Sequence, residues 1–495
     1  MSLAQPSGQA RPAGEALGPP AHPVLRIARE EWRWLRRDRV AVLGLVLLLL
    51  LAAVAIVHAA AQRDALAAER ARRQGQVDQA FEASPDRHPH RMVHYGHFVF
   101  RPLNPLAAFD PGVDAQTGHT LFLEGHRQNS ANFSEVRQSS LLLRFGQLTP
   151  AFVLQVLAPL LLVFAGHATL AREREAGTLR VLLAQGVRPR QIVAGKLLAL
   201  AGLAAVVLLP ALLALAWIAG TTPAPAALAA TLAGGYALWL ALWVLGTVCV
   251  SAWLKQARSA LVVLLAAWAV GVVLLPRLAA ELASAALPLP TRVETDIAIA
   301  RELAALGDSH NPDDPHFAAF RARLLAQHGV ARVQDLPLNY KGLVAMEGER
   351  LTSGLFVRHA DAGFARQQAQ LDWVDRAALL SPLLALRRLS MATAGTDLAA
   401  YRSFLEQGER HRYALVQSLN RLQAEKLTLA GDRSSRDDRI GAAHWHDLAV
   451  FRFEATPPAQ ALRTAAPAAA VLLLWLAGLG SALALATRRI GKVMP

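Results

Sequence analysis

Between Ala171 and Lys196 the chain reads AREREAGTLRVLLAQGVRPRQIVAGK, a basic stretch punctuated by glycine and proline and held between two long apolar runs. Thr178 is placed to cap a short helix over Leu179 to Gln185. Gly186 can end it in the left-handed conformation, and Pro189 can start the next helix. The product is a stub of about 10 Å by helical rise, lying across the ends of two apolar helices. A stub of that kind has the shape of a handle for a soluble partner.

The flanking runs, 151–170 and 197–220, have about the length needed to cross a roughly 30 Å hydrocarbon core. Four further blocks share this character: 40–60, 226–250, 260–275 and 465–486, the fifth in chain order being the shortest. With 54% hydrophobic residues in 495, gathered into such blocks, the chain reads as an all-α polytopic membrane protein. Six transmembrane helices and a mainly helical extracytoplasmic domain are expected. Arginine and lysine resist translocation and mark cytoplasmic loops. Arg26, Arg29, Arg33, Arg36, Arg37 and Arg39 precede the first block; Arg172, Arg174, Arg180, Arg188, Arg190 and Lys196 lie between the second and third. Lys255 and Arg258 join the fourth and fifth, and Arg488, Arg489 and Lys492 follow the sixth, whereas 221–225 has none. Both termini are therefore expected in the cytoplasm. Residues 61–150 and 276–464 then lie outside, and 171–196 is a cytoplasmic loop.

Residues 1–23 are rich in Pro, Gly and Ala and read as a disordered tail, and 487–495 as a second, short cytoplasmic tail. In 24–39, Leu25, Ile27, Trp32, Trp34 and Leu35 are interleaved with Arg and Glu, which suits an interfacial amphipathic helix bracing the first span. The apolar run at 40–60 is too long, and too far from the start, for a cleaved signal sequence, so a retained span is expected. The polar stretch Arg63 to Phe81 extends that span. Phe98 and Phe100 fall on one face of a short strand. Thr291 and Glu294 form a capping box, with helices following at Phe317 to Gln327, Ala345 to Arg376 and Leu398 to Lys426, and a short strand or irregular element at His444 to Phe453.

The net charge of +14 is accounted for by the cytoplasmic loops and attraction to membrane lipids. No repeated basic-aromatic pattern points to nucleic acid. The single cysteine, Cys249, allows no intramolecular disulfide. Gly195-Lys196 mimics the end of a phosphate-binding loop, but Leu197 follows and no glycine stands five positions earlier, so the chain is not expected to hydrolyse ATP itself. Metalloprotease, dithiol and hydrolase-elbow motifs are missing. The spans carry essentially no ionisable groups, which disfavours an ion-coupled carrier. Gln155 and His167 on the second span read as interhelical hydrogen-bonding residues. His88, His90, His94 and His97 fall within ten residues and are the candidate metal ligands. Against that stands the plain reading of histidines in a Pro-rich loop without Cys or Met to define a geometry.

The run Arg172-Glu173-Arg174-Glu175-Ala176-Gly177-Thr178-Leu179, followed by Leu182-Leu183, Gly186-Val187 and Gly195-Lys196, resembles the coupling loop of ABC-2 type permeases, the membrane subunits of ATP-binding-cassette transporters. His94-Tyr95-Gly96, Phe109-Asp110-Pro111-Gly112, the run from Phe122 to Asn129, Leu148-Thr149-Pro150, Ser390-Met391-Ala392 and Ala394-Gly395-Thr396-Asp397 resemble a bacterial subgroup of them with large periplasmic ectodomains. The resemblance implies that Glu173, Glu175, Gly177, Thr178, Leu179 and Arg180 form the helix docking into a separate ATPase subunit. It also implies a location in the bacterial inner membrane and a second permease half, identical or homologous. ATP and Mg belong to the partner subunit, with no cofactor in this chain, and export or conformational work is the output. The alternatives are a membrane-anchored periplasmic metal-binding protein, and an envelope scaffold or signalling protein that recruits a periplasmic partner.

Overall fold

The computed structural model describes residues 22–132, 148–309, 311, 313–432, 438–446, 448 and 450–492. Most of the expected N-terminal tail lies outside them. Helix α1, Pro23–Arg37, buries Ala28, Glu31 and Leu35, spaced by three and four residues along one face. The Asp38 carboxylate accepts from Val40 N at 3.0 Å and caps α2, Arg39–Glu82. At 1.5 Å per residue α2 is about 66 Å long, twice the hydrocarbon core. Its first half is the first span, and its polar half continues as a stalk, as the sequence suggested. Val40, Leu43, Leu47, Leu50 and Val57 are exposed along the apolar half, as suits a surface bathed in lipid.

Beyond the stalk come α3, Pro89–Tyr95, β1, His97–Phe100, and β2, Thr120–Leu123, which pair antiparallel with His97 opposite Leu123. His97 and Val99 turn into the core, so Phe98 and Phe100 share the outer face, where Phe98 meets the Phe122 ring at 4.7 Å. Gln74 of the stalk accepts from Phe100 N and Arg70 donates to Arg101 O, which fixes the hairpin against α2.

The second span begins under the Thr149 cap, passes through a π-helical turn, Val153–Leu157, and continues as α4, Ala158–Gly166. After a turn come α5, Ala171–Glu175, and α6, Thr178–Ala184, then α7, Pro189–Thr221, and α8, Ala226–Trp253. The fifth span joins α9, Ala257–Trp268, a second π-helical turn, Ala269–Leu274, and α10, Leu275–Ala286. It is therefore a helix of 30 residues, not the short block 260–275. Pro276 looked like its end, but the π turn lets the helix pass through the proline.

The same device serves both spans. Pro159 and Pro276 each stand two residues past a π turn, and the carbonyl five residues before each proline lacks the N–H that a π turn would bring. A side chain replaces it: Trp239 Nε1 donates to Leu154 O at 3.1 Å, and Ser381 Oγ to Gly271 O at 2.6 Å. Neither carbonyl is left unpaired inside the bundle.

The rest of the domain is helical: α11, Arg292–Leu306, under the expected Thr291/Glu294 capping box, α12, Pro315–His328, α13, Tyr340–Ala377, α14, Pro382–Ala394, and α15, Leu398–Lys426. The described residues of 444–453 supply only a one-turn helix, α16, Ala443–His446, and irregular chain rather than a strand. The sixth span is α17, Pro458–Lys492. Among the described residues, six helices are long and apolar enough to cross a membrane, and the chain is an all-α polytopic membrane protein. One core runs through the spans and α14, and two smaller ones fill the domain around Met92, Leu419 and Trp445 and around Val99, Leu121 and Phe404. Helix α1, the α5–α6 loop and the C-terminal ends of α8 and α17 gather at one end of the bundle, where Arg489 lies over Trp253 at 4.0 Å and Pro189 packs near Gly491.

Candidate functional site

That end is organised by four consecutive charged residues of α5, each of which holds a different helix. Arg172 donates to Glu31 of α1 at 3.2 Å and lies 3.8 Å over the Trp34 ring. Glu173 accepts from Lys196 Nζ of α7 at 2.8 Å. Arg174 donates to Ala252 O at 2.8 Å and to Leu254 O, the carbonyls left open where α8 ends. Glu175 accepts from Ala257 N at 3.0 Å and so caps α9, whose own N-cap residue, Gln256, makes no side-chain cap. Ser251 of α8 returns the contact by accepting from Leu170 N and Ala171 N at 3.0 and 3.1 Å.

At the centre, Lys196 Nζ lies 2.6 Å from Glu31 Oε2 and 2.8 Å from Glu173 Oε1, with Lys196 3% and Glu31 2% exposed. Gly195 admits α1 here: a Cβ on it would stand 2.6 Å from Ile27 Cγ2. Helix α1 thus braces the loop and the third span, α7, besides touching the first span.

Helix α6 starts differently from the expectation. Gly177, left-handed at φ +73°, is its N-cap, and the Thr178 hydroxyl turns back to donate to Glu173 instead of capping. Gly186 does adopt the left-handed conformation, at φ +83°. Leu179 is buried in the bundle core, and Leu182 and Leu183 lean against it. Of the residues that the sequence marked for docking, Glu173 and Leu179 therefore face this chain's own interior. Thr178 and Arg180 face out, joined by Val181, which is 55% exposed, and by Ala184.

The family model described as ABC-2 family transporter protein matches residues 25–314, from α1 through all of the first five spans. The chain belongs to this ABC-2 transporter family. It is a membrane permease component, and the α5–α6 loop lies within the matched region. A second model, a domain of unknown function (DUF3526), matches residues 292–454. No curated protein matches the chain.

At the other end of this ABC-2 family member, a polar chain joins the spans to the domain. Gln155 of the second span donates to Tyr236 Oη of α8 at 2.8 Å, Tyr236 lies 3.1 Å from Ser390 Oγ of α14, and Ser390 donates to Asp110 Oδ2 at 2.5 Å. Arg387 approaches Gln155 Oε1 at 3.3 Å. Burial pushes the Asp110 carboxyl above its usual range, partly offset by Ser390. Gln155 is thus an interhelical hydrogen-bonding residue, whereas His167 bonds Phe164 O of its own segment. Sequence patterning shows Gln155 but not the rest of the chain of contacts, which draws Tyr236 from another span, Ser390 and Arg387 from α14 and Asp110 from a loop.

The clustered histidines separate. His88 is buried with Nε2 3.1 Å from Asp432. His97 is buried with Nε2 2.9 Å from Asp78 and its ring against Phe81; burial keeps it below the ordinary histidine range despite that carboxylate. Each is committed to a separate carboxylate and leaves the candidate metal set. Only His90 and His94 remain together, one turn apart on α3 with Nε2 atoms 3.2 Å apart.

Proposed function

We propose that this chain is the permease half of an ATP-driven transporter in a bacterial inner membrane, and that α5–α6 is the cytoplasmic coupling element on which a separate ATP-binding-cassette subunit acts. The observation that carries the reading is the set of four neighbouring charged side chains, Arg172 to Glu175, holding α1, α7, α8 and α9 at once. A displacement of so short an element is delivered to four helices together, because ion pairs and capped helix ends transmit position rather than absorb it. Two rods lead on from there. The second span runs from Leu170 to Gln155 and α8 from Ser251 to Tyr236, about 22 Å by helical rise, and both end in the polar chain that holds Asp110 and Ser390 of the domain. The output is either export, with a second identical or homologous permease chain completing the pathway, or movement of the ectodomain. Spans nearly free of charge favour a lipophilic cargo or force transmission.

The docking face is Thr178, Arg180, Val181 and Ala184, with the charged residues before it acting inward. Affinity purification of the chain from its own membranes is expected to bring down an ATP-binding-cassette subunit and vanadate-sensitive ATP hydrolysis. Val181→Asp with Ala184→Asp should remove both while the chain still inserts. A wild-type complex without nucleotide turnover, or a variant that retains the subunit, rejects the proposal.

A further inference from the structure

His90 and His94 have a third companion. His126, on the turn after β2, joins them so that one ring nitrogen from each of the three lies within 4.8 Å of the others. Its ring centroid is 5.9 Å from that of His90 and 5.4 Å from that of His94. His94 is exposed and the other two are half-buried, so the group opens to water on one side.

The turn is built to bring His126 there. His126 has φ +61°, the one non-glycine residue with positive φ among the described residues, a strained conformation that persists only where the surroundings impose it. Glu349 imposes it: its Oε2 accepts from His126 N at 2.9 Å and stands 3.4 Å from His126 Nδ1. Glu349 is fully buried and paired at 2.6 Å with Arg412, which also donates to Glu124 O in the same turn at 3.0 Å. Gly125 lets the turn close on α3. Its N–H donates to Val93 O at 3.2 Å, and a Cβ there would stand 2.2 Å from Val93 Cγ1.

We propose that His90, His94 and His126 bind one divalent transition-metal ion, best suited to Zn²⁺, with a fourth position open to water. Three imidazoles are a standard nitrogen set for zinc. At metal–nitrogen distances of about 2.0–2.1 Å, tetrahedral ligands stand roughly 3.3 Å apart, which His90 and His94 already match. The Glu349 carboxylate beside Nδ1 of His126 fixes the ring and leaves Nε2 to the metal, as carboxylates behind zinc-bound histidines do. The site is independent of the ATPase reading and lies at the opposite end of the molecule from α6.

Isothermal titration of the purified full chain, stripped with chelator and titrated with zinc chloride, is expected to give one ion per chain. Chemical metal analysis after desalting is expected to agree. His94→Gln and His126→Asn, the latter chosen because Asn tolerates positive φ, should each weaken binding at least ten-fold. Glu349→Gln should weaken it about 10–100-fold, and exposed His446→Gln should leave it unchanged. Melting curves of the metal-free variants separate loss of the site from loss of the fold. Absence of saturable binding in the wild type, or wild-type affinity in folded His94→Gln and His126→Asn, overturns the assignment.

Discussion

Lys196 shows how much of the junction rests on one side chain. Its ammonium is buried between Glu31 and Glu173, and a buried charge persists only while its partners do. Lys196→Met leaves Glu31 with Arg172 alone, at 3.2 Å, and should cost roughly 3–5 kcal/mol, the range for breaking a buried ion pair. The pair Glu31→Met and Lys196→Met removes both buried charges and leaves Glu173, whose side chain is 19% exposed, within reach of water. The double variant should therefore melt above the Lys196→Met single variant in micelles. Strict additivity of the two singles would show that the ions are not coupled. The family resemblance reads Glu173 and Glu175 as part of a face for a partner. It misses the pairing of Arg172 to Glu175 within the chain because each partner is distant, from 23 to 141 residues away in sequence.

At the scale of elements, the legible features are those fixed by local chemistry. The apolar blocks, the Thr291 capping box, α15 at Leu398–Lys426 and the left-handed Gly186 all depend on neighbours within a turn or two. The illegible ones depend on distant groups: the fifth span continues past Pro276 because Ser381 takes the freed carbonyl, and α14 packs with the spans although 13 residues are too few to cross. The packing of α15 against the hairpin has a consequence of its own. Burial pushes His411 of α15 down to about 4, with His97 adding to the effect, and burial pushes His119 beside β2 down to about 4, helped by Arg70. These depressed values mean the folded domain holds neutral imidazoles that the unfolded chain protonates near pH 6.5. The stabilisation is fully present above about pH 6.5 and is lost as the pH falls toward 4. In melts at pH 7 and pH 5, His411→Gln should reduce the pH-dependent loss by roughly 1–2 kcal/mol. An undiminished loss would remove His411 from the account.

For the whole molecule, the decisive quantity is which end meets which compartment. The bundle puts α1, α5–α6 and the end of α17 together, and the helical domain at the far end of the spans. With six crossings, α1 and the end of α17 share a side, and the function proposed above takes that side as the cytoplasm, the side that arginine-rich loops favour. Cys249 is the only cysteine and is buried, so Cys249→Ala gives a background for single reporters at two exposed positions, Val181 on α6 and His446 in the domain. In intact spheroplasts a membrane-impermeant maleimide should label His446→Cys and spare Val181→Cys. In inside-out vesicles the pattern should reverse. Labelling of Val181→Cys from outside would place α6 where no nucleotide-driven subunit can reach it, and the coupling role would fail. The zinc test at His90, His94 and His126, which needs only the folded domain, would keep its own outcome.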